Sequence, residues 1–169
     1  AKSKKQKQQV KTTVSFDTSF IYEPNQMLKV AIYAGIAIIS LLLSFVYIYS
    51  ANGANNIFGF PLDDPWIDLT FAKNLVEYGS FSYFKNEMAT AGSTSPIYTL
   101  LLAVGFLITS NEMILSYVLG MAFFVLSSVF FYKLSSFEFG KENVYALLAS
   151  VIFIVDKWMN FVSVSGMET

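Results

Sequence analysis

Residues 61–98 read PLDDPWIDLTFAKNLVEYGSFSYFKNEMATAGSTSPIY, an acidic, helix-forming loop held between strongly apolar stretches. Two adjacent carboxylates, Asp63 and Asp64, stand where the helix begins. Asp64 suits an N-cap, Pro65 suits the first helical position, and Gly79 suits the residue just past the end. Between them Thr70, Lys73, Asn74 and Glu77 share one face at helical spacing, and Ile67, Leu69, Phe71, Ala72, Leu75, Val76 and Tyr78 form the other. The expectation is a helix lying on a bilayer with its apolar face down. Asp68 falls inside that apolar face, where an unpaired charge is costly, so it requires a partner: Lys157 or a group on another chain.

Outward from the loop, the apolar stretches set the fold class. Val30 to Tyr49 is apolar apart from Ser40 and Ser44, and about 20 such residues suffice for a helix to cross a bilayer. Lys2, Lys4, Lys5, Lys7, Lys11 and Lys29 precede it. The run exceeds the usual signal-peptide core of roughly 7–15 residues and no small-residue cleavage site follows, so it reads as a permanent anchor. Ile97 to Ile108 is too short for a span and fits a re-entrant or interfacial helix. Met113 to Tyr132 is full length, with Lys133 and Lys141 after it. Val144 to Val155 starts a last apolar stretch, broken by Asp156 and Lys157 and continued weakly to Val164.

Parity then fixes sidedness. If Ile97–Ile108 does not cross, Lys133 and Lys141 fall on the side of the lysine-rich start, and the closing SGMET falls on the side of Asp63 and Asp64. The positive-inside rule favours that arrangement. The expected fold is all-α and polytopic: about three transmembrane helices, near residues 28–50, 112–133 and 143–160, plus two juxtamembrane helices in the first external loop. The chain divides into a cytoplasmic tail over 1–27, a first span over 28–50, an external loop over 51–111, and a region over 112–169 that holds the remaining spans and ends at an external acidic motif. The N-terminus is thus expected in the cytoplasm, with the Asp63/Asp64 loop on the outer face of the membrane.

Composition excludes much. Hydrophobic residues make up 54% of the 169, mean hydropathy is +0.52, and the net charge is −1. There is no arginine, histidine or cysteine. Nothing therefore grips bases or phosphates bidentately. Disulfides, thiolate metal sites, a Ser-His-Asp triad and any histidine-ligated haem or pigment are excluded as well. Any metal must be a hard ion held by oxygen, such as Mg²⁺, Mn²⁺ or Ca²⁺, with Asp63 and Asp64 as the candidate ligands. Bound membrane lipid is the other expected small partner.

Ala1 to Gln26 is polar and lysine-rich, with too little to bury to order itself. Within it Val14, Phe16, Phe20 and Tyr22 alternate with polar residues, as in an extended segment laid on another protein surface. These four are the candidate contacts to a partner membrane chain. The early lysines mark topology and touch anionic lipid.

At LDDPWIDLTFAKNL, GSTSPIYTLLLA and SGMET the chain resembles the N-terminal part of bacterial GT-C glycosyltransferases, membrane enzymes that take sugar from a polyprenyl-phosphate donor. Their pattern is similar to D-D-x-[YW]-I-x-x-R-[YF]-A-x-N-L, then G-[YF]-[ST]-S-P-L-[WY], then S-G-[ML]-E-T. By that resemblance Asp63 and Asp64 match the acid pair. Trp66 and Ile67 match the aromatic–Ile step, Phe71, Ala72, Asn74 and Leu75 the helix, and Thr94, Ser95 and Pro96 the start of a second juxtamembrane helix. Gly166, Met167, Glu168 and Thr169 match the last motif. The resemblance covers residues from about 28 onward, and it implies a bacterial inner membrane with the Asp63/Asp64 loop periplasmic. It implies Asp63, Asp64 and Glu168 as catalytic acids and inversion by direct displacement, with Asp63 as general base or metal ligand. One departure matters: the family's arginine in the first helix is Thr70 here.

Such enzymes carry further spans that complete the donor pocket. The expectation is therefore a catalytically incomplete structural subunit of a larger membrane complex. The alternative is an active part of an inverting transferase acting on an acceptor hydroxyl at the external face. N-terminal pieces of this kind also resemble accessory subunits of green sulfur bacterial photosynthetic reaction centres. Without the resemblance, Asp64 is a helix cap, GSTSP is a turn leading into a helix, and the many Phe and Tyr residues are packing or interfacial aromatics.

Overall fold

The computed structural model describes residues 26–55, 59–60, 62–139 and 144–167, and among these every regular element is a helix. The order is α1 (Gln26–Asn55), α2 (Pro65–Tyr78), α3 (Pro96–Phe106), α4 (Glu112–Glu138), α5 (Val144–Val155) and α6 (Lys157–Ser163). Two of them, α1 and α4, are long and apolar enough to cross a membrane, and the bent pair α5–α6 makes a third if it counts as one span. At 1.5 Å per residue α4 is about 40 Å long, ample for a hydrocarbon layer about 30 Å thick.

The two long helices run antiparallel. Tyr33 near the start of α1 meets Tyr132 near the end of α4, with ring centroids 5.5 Å apart. Near the other end of α1, Tyr47 meets Phe161 of α6 at 6.3 Å. α5 returns along α4, with Phe153 stacked 4.6 Å from Phe131. The crossings are made by small side chains: Ser40, Ser128, Ala146 and Ser150 are fully buried. Such residues let helices approach closely in lipid, where van der Waals packing replaces the hydrophobic drive. Each of those serines donates its hydroxyl to its own helix, Ser40 to Ile36 O, Ser128 to Phe124 O and Ser150 to Ala146 O, all at 2.8 Å. Ile36, Tyr132, Ala146 and Ile154 fill the space between them.

The expected third span, over 143–160, is not one uninterrupted helix. The chain turns by 59° between α5 and α6, because Asp156 leaves helical geometry (ψ 127°) and its side chain accepts from Trp158 N and Met159 N. An aspartate in that position starts a helix rather than continuing one.

α2 spans the expected residues and ends at Gly79, whose φ of +66° is left-handed and whose N–H donates to Leu75 O. Its apolar face, however, is not laid on lipid. Leu69 and Ala72 pack against Tyr98, Leu102 and Ala103 of α3 and Leu115 of α4. The outward apolar stripe belongs to α3, where Ile97, Leu100 and Val104 are exposed at helical spacing. The reason is physical: an amphipathic helix buries its apolar face against whatever covers it best, and the next helix is close and complementary. α3 stays at one end of the bundle, with Gly105 against Leu115 near the start of α4.

Candidate functional site

The site grows from the first turn of α2. Trp66 N bonds to Asp63 O at 3.2 Å and Ile67 N to Asp64 O at 2.9 Å, so backbone carbonyls close the turn. Asp64 is itself in helical geometry and its side chain makes no capping bond, which corrects the expected cap. Both carboxylates are exposed, and neither is spent on holding the helix.

Around this turn three distant stretches meet. Gly166, at φ +83°, lies so close that a Cβ there would sit 2.6 Å from the Phe60 ring and 3.0 Å from Pro65 Cβ. Tyr98 donates its hydroxyl to Gly166 O at 3.2 Å, and Tyr117 donates to Gly59 O at 3.0 Å. Phe60 packs edge-on to Trp66, 5.3 Å away. The loop before α2, the start of α3, the start of α4 and the turn after α6 thus close on one another beside the acid pair. Glu168 lies outside the described residues, as do Val14, Phe16, Phe20 and Tyr22.

Asp68 sits one turn further on, 1% exposed. Its partners are neither Lys157 nor another chain but hydroxyls. Ser93 donates to Oδ1 at 2.8 Å, Thr94 to Oδ2 at 3.0 Å and Thr99 to Oδ1 at 3.0 Å. Thr99 has one proton to share between that bond and Ser95 O, also at 3.0 Å. Three donors supply a buried carboxylate with what water would have given it. Two of the three hydroxyls of GSTSP, those of Ser93 and Thr94, are therefore turned to Asp68, while Ser95 lines a cavity. The sequence showed that something must meet an aspartate in an apolar stripe, but not that Ser93, Thr94 and Thr99 would do so.

Asn74, assigned to the polar face, is buried as well. Its amide donates to Ser82 O at 2.9 Å and Tyr83 O at 2.8 Å. It fastens the loop after α2 over Phe71, which packs on Phe81 and Tyr83. On the outer face Lys73 bonds to Glu112 at 2.8 Å, and that hydrogen-bonded carboxylate raises the lysine above its usual value.

Two cavities flank these elements. One of about 510 Å³ is mainly apolar, lined by Ser95, Tyr98, Leu101, Phe124, Trp158 and Met167 among others. The second, about 480 Å³, runs along Trp66, Thr70, Lys73, Glu77 and Lys85. Neither includes Asp63 or Asp64 in its lining. Among the described residues no lysine pairs with the two acids, and no group of three metal-binding side chains occurs. A Mg²⁺-like ion would thus find two carboxylates here and take its remaining ligands from water or substrate, a set that ion accepts.

The helices define the class: an all-helical, membrane-embedded protein. No family model, curated protein or solved structure matches the chain.

Proposed function

We propose that the chain is a GT-C-like membrane module which, in this form, acts as a catalytically incomplete structural subunit of a larger bacterial membrane assembly, a photosynthetic reaction centre being one assembly the resemblance names. The observation that carries the reading is convergence. The stretches around Asp63, Ser95 and Gly166 that resemble the glycosyltransferase motifs are far apart in sequence, yet Gly166 leaves no room for a Cβ beside Pro65 and accepts from Tyr98. Incompleteness is supported by charge. A lipid phosphate needs a cation, the chain has no arginine, and among the described residues no lysine reaches the acid pair.

The second reading is the active part of an inverting transferase. It is favoured by two carboxylates free of capping duty and by the apolar cavity, whose lining suits an isoprenoid chain. In that reading Asp63 takes the proton of an acceptor hydroxyl while the sugar leaves its lipid phosphate, and Glu168 is a further acid at the site by resemblance. The experiment is transfer from a polyprenyl-phosphate sugar by the full chain in bilayer discs. The structural reading expects none. Transfer that disappears in Asp63→Asn replaces it with the enzymatic one. Sidedness is tested separately: a cysteine in place of Glu87 in the loop should react with an impermeant reagent from the periplasmic face.

A further inference from the structure

The break between α5 and α6 carries two charges at an unusual depth. Phe153, just before it, stacks 4.6 Å from Phe131 and 6.2 Å from Phe124 of α4, and Gly120 of α4 lies against Ser163 O, at the end of α6, too close to admit a Cβ. Asp156 and Lys157 lie between those two levels. Measured along α4 from Glu112, Gly120, Phe124 and Phe131 stand about 12, 18 and 28 Å in, so the break lies inside a hydrocarbon layer about 30 Å thick. Both residues are exposed. Asp156 accepts only the capping N–H groups of Trp158 and Met159, at 2.9 and 3.0 Å. Among the described residues neither side chain has an ion-pair partner.

Hydrocarbon does not tolerate such a face, because intramembrane charges persist where they meet protein, water or an opposite charge. Leading to the break is an exposed stripe of Leu148, Ile152 and Val155 at i, i+4 and i+7, and Trp158 beyond it is 68% exposed. The stripe suits lipid and protein equally; the charges suit water or a partner that presents a base to Asp156 and an acid to Lys157, and only the partner also covers the stripe. A neighbouring Asp–Lys pair is its own complement under a two-fold axis, since each residue then meets the other residue of the second copy.

We propose that the face formed by Leu148, Ile152, Val155, Asp156, Lys157 and Trp158 is a two-fold interface between two copies of this chain, closed by reciprocal Asp156–Lys157 pairs. The proposal is independent of the glycosyltransferase reading.

The test uses the full chain in lipid vesicles, with association followed by energy transfer between labelled copies. Asp156→Asn keeps a residue able to cap α6 but leaves two lysines facing each other; Lys157→Glu leaves four acids. Each variant alone should associate about tenfold more weakly than the native chain, or less. Mixing the two variants should recover association, which also shows that both are folded. Because the chain has no cysteine, Trp158→Cys should form an oxidative cross-link between copies. A native chain that stays monomeric in vesicles, including one covered by a different protein in the cell, overturns the interface. Variants that associate like the native chain, or a mixture with no recovery, do the same.

Discussion

Replacing Asp68 tests whether the buried carboxylate joins α2 to α3. A hydrogen bond to a charged group is worth about 1.5–3 kcal/mol net, and three hydroxyls supply such bonds. The sum overstates the loss. Thr94 is exposed and can turn to water, and Thr99 can give its proton wholly to Ser95 O. Asp68→Ala should therefore cost about 3 kcal/mol, chiefly for Ser93 and the emptied space. Asp68→Asn keeps one acceptor, and its new N–H₂ group can donate to Thr94 once that hydroxyl rotates, so it should cost about 1 kcal/mol. For a chain of this size each kcal/mol corresponds to roughly 2–4 °C in Tm, giving drops of about 6–12 °C and 2–4 °C. The assay is thermal unfolding in detergent followed by Trp66 fluorescence, in a Trp158→Phe background that silences the second tryptophan. Adding Thr99→Val to Asp68→Ala should cost less than Thr99→Val alone, because its partner is already gone. Fully additive costs, or an Asn variant as damaging as Ala, would refute the hydroxyl clasp.

Two further outcomes follow from the site geometry. Gly166→Ala should destabilise by about 2–4 kcal/mol, since it combines a left-handed backbone with overlap on Phe60, whereas Gly79→Ala, with open space around it, should cost about 1 kcal/mol; equal costs would remove the close approach from the account. The Lys73–Glu112 pair, 45% and 28% exposed, should contribute about 0.5 kcal/mol. Glu112 raises the folded-state lysine above 10.5, so this contribution is complete below pH 10.5 and fades only as pH climbs through the raised value. A Lys73→Met comparison of stability between pH 7 and 11 reads it, and a contribution already gone at pH 9 contradicts the pairing.

Local signals carried much of the fold. Pro65 and Gly79 bracket α2 because proline and a left-handed glycine act within one turn of themselves. The apolar lengths of α1 and α4 are a property of composition alone, and Asp156 marks the break in the last apolar stretch by the same local chemistry. What escaped was set by partners far along the chain. Period placed Asn74 on the polar stripe, but the loop it holds folds back over it. Asp68 showed that it needed company without showing that three hydroxyls, 25 to 31 residues away, would provide it. Asp64 looked like a cap because capping and merely preceding a helix share a sequence signature; only the backbone bonds distinguish them. The meeting of Gly166 with Pro65 could not be read from spacing, since it depends on how α5 and α6 bend.

The serines at the helix crossings bear on how the protein is made. Because Ser40, Ser128 and Ser150 each donate to the carbonyl one turn back in their own helix, none of them waits for a neighbour to satisfy it. Each hydrophobic segment can leave the ribosome and partition into lipid singly, with these hydroxyls already satisfied, and the helices can find one another afterwards by shape alone. At these three crossings insertion then needs no pairing of polar groups between helices. Asparagine at position 40, 128 or 150, too large and too polar to satisfy itself in that way, would delay insertion before it disturbed the finished fold.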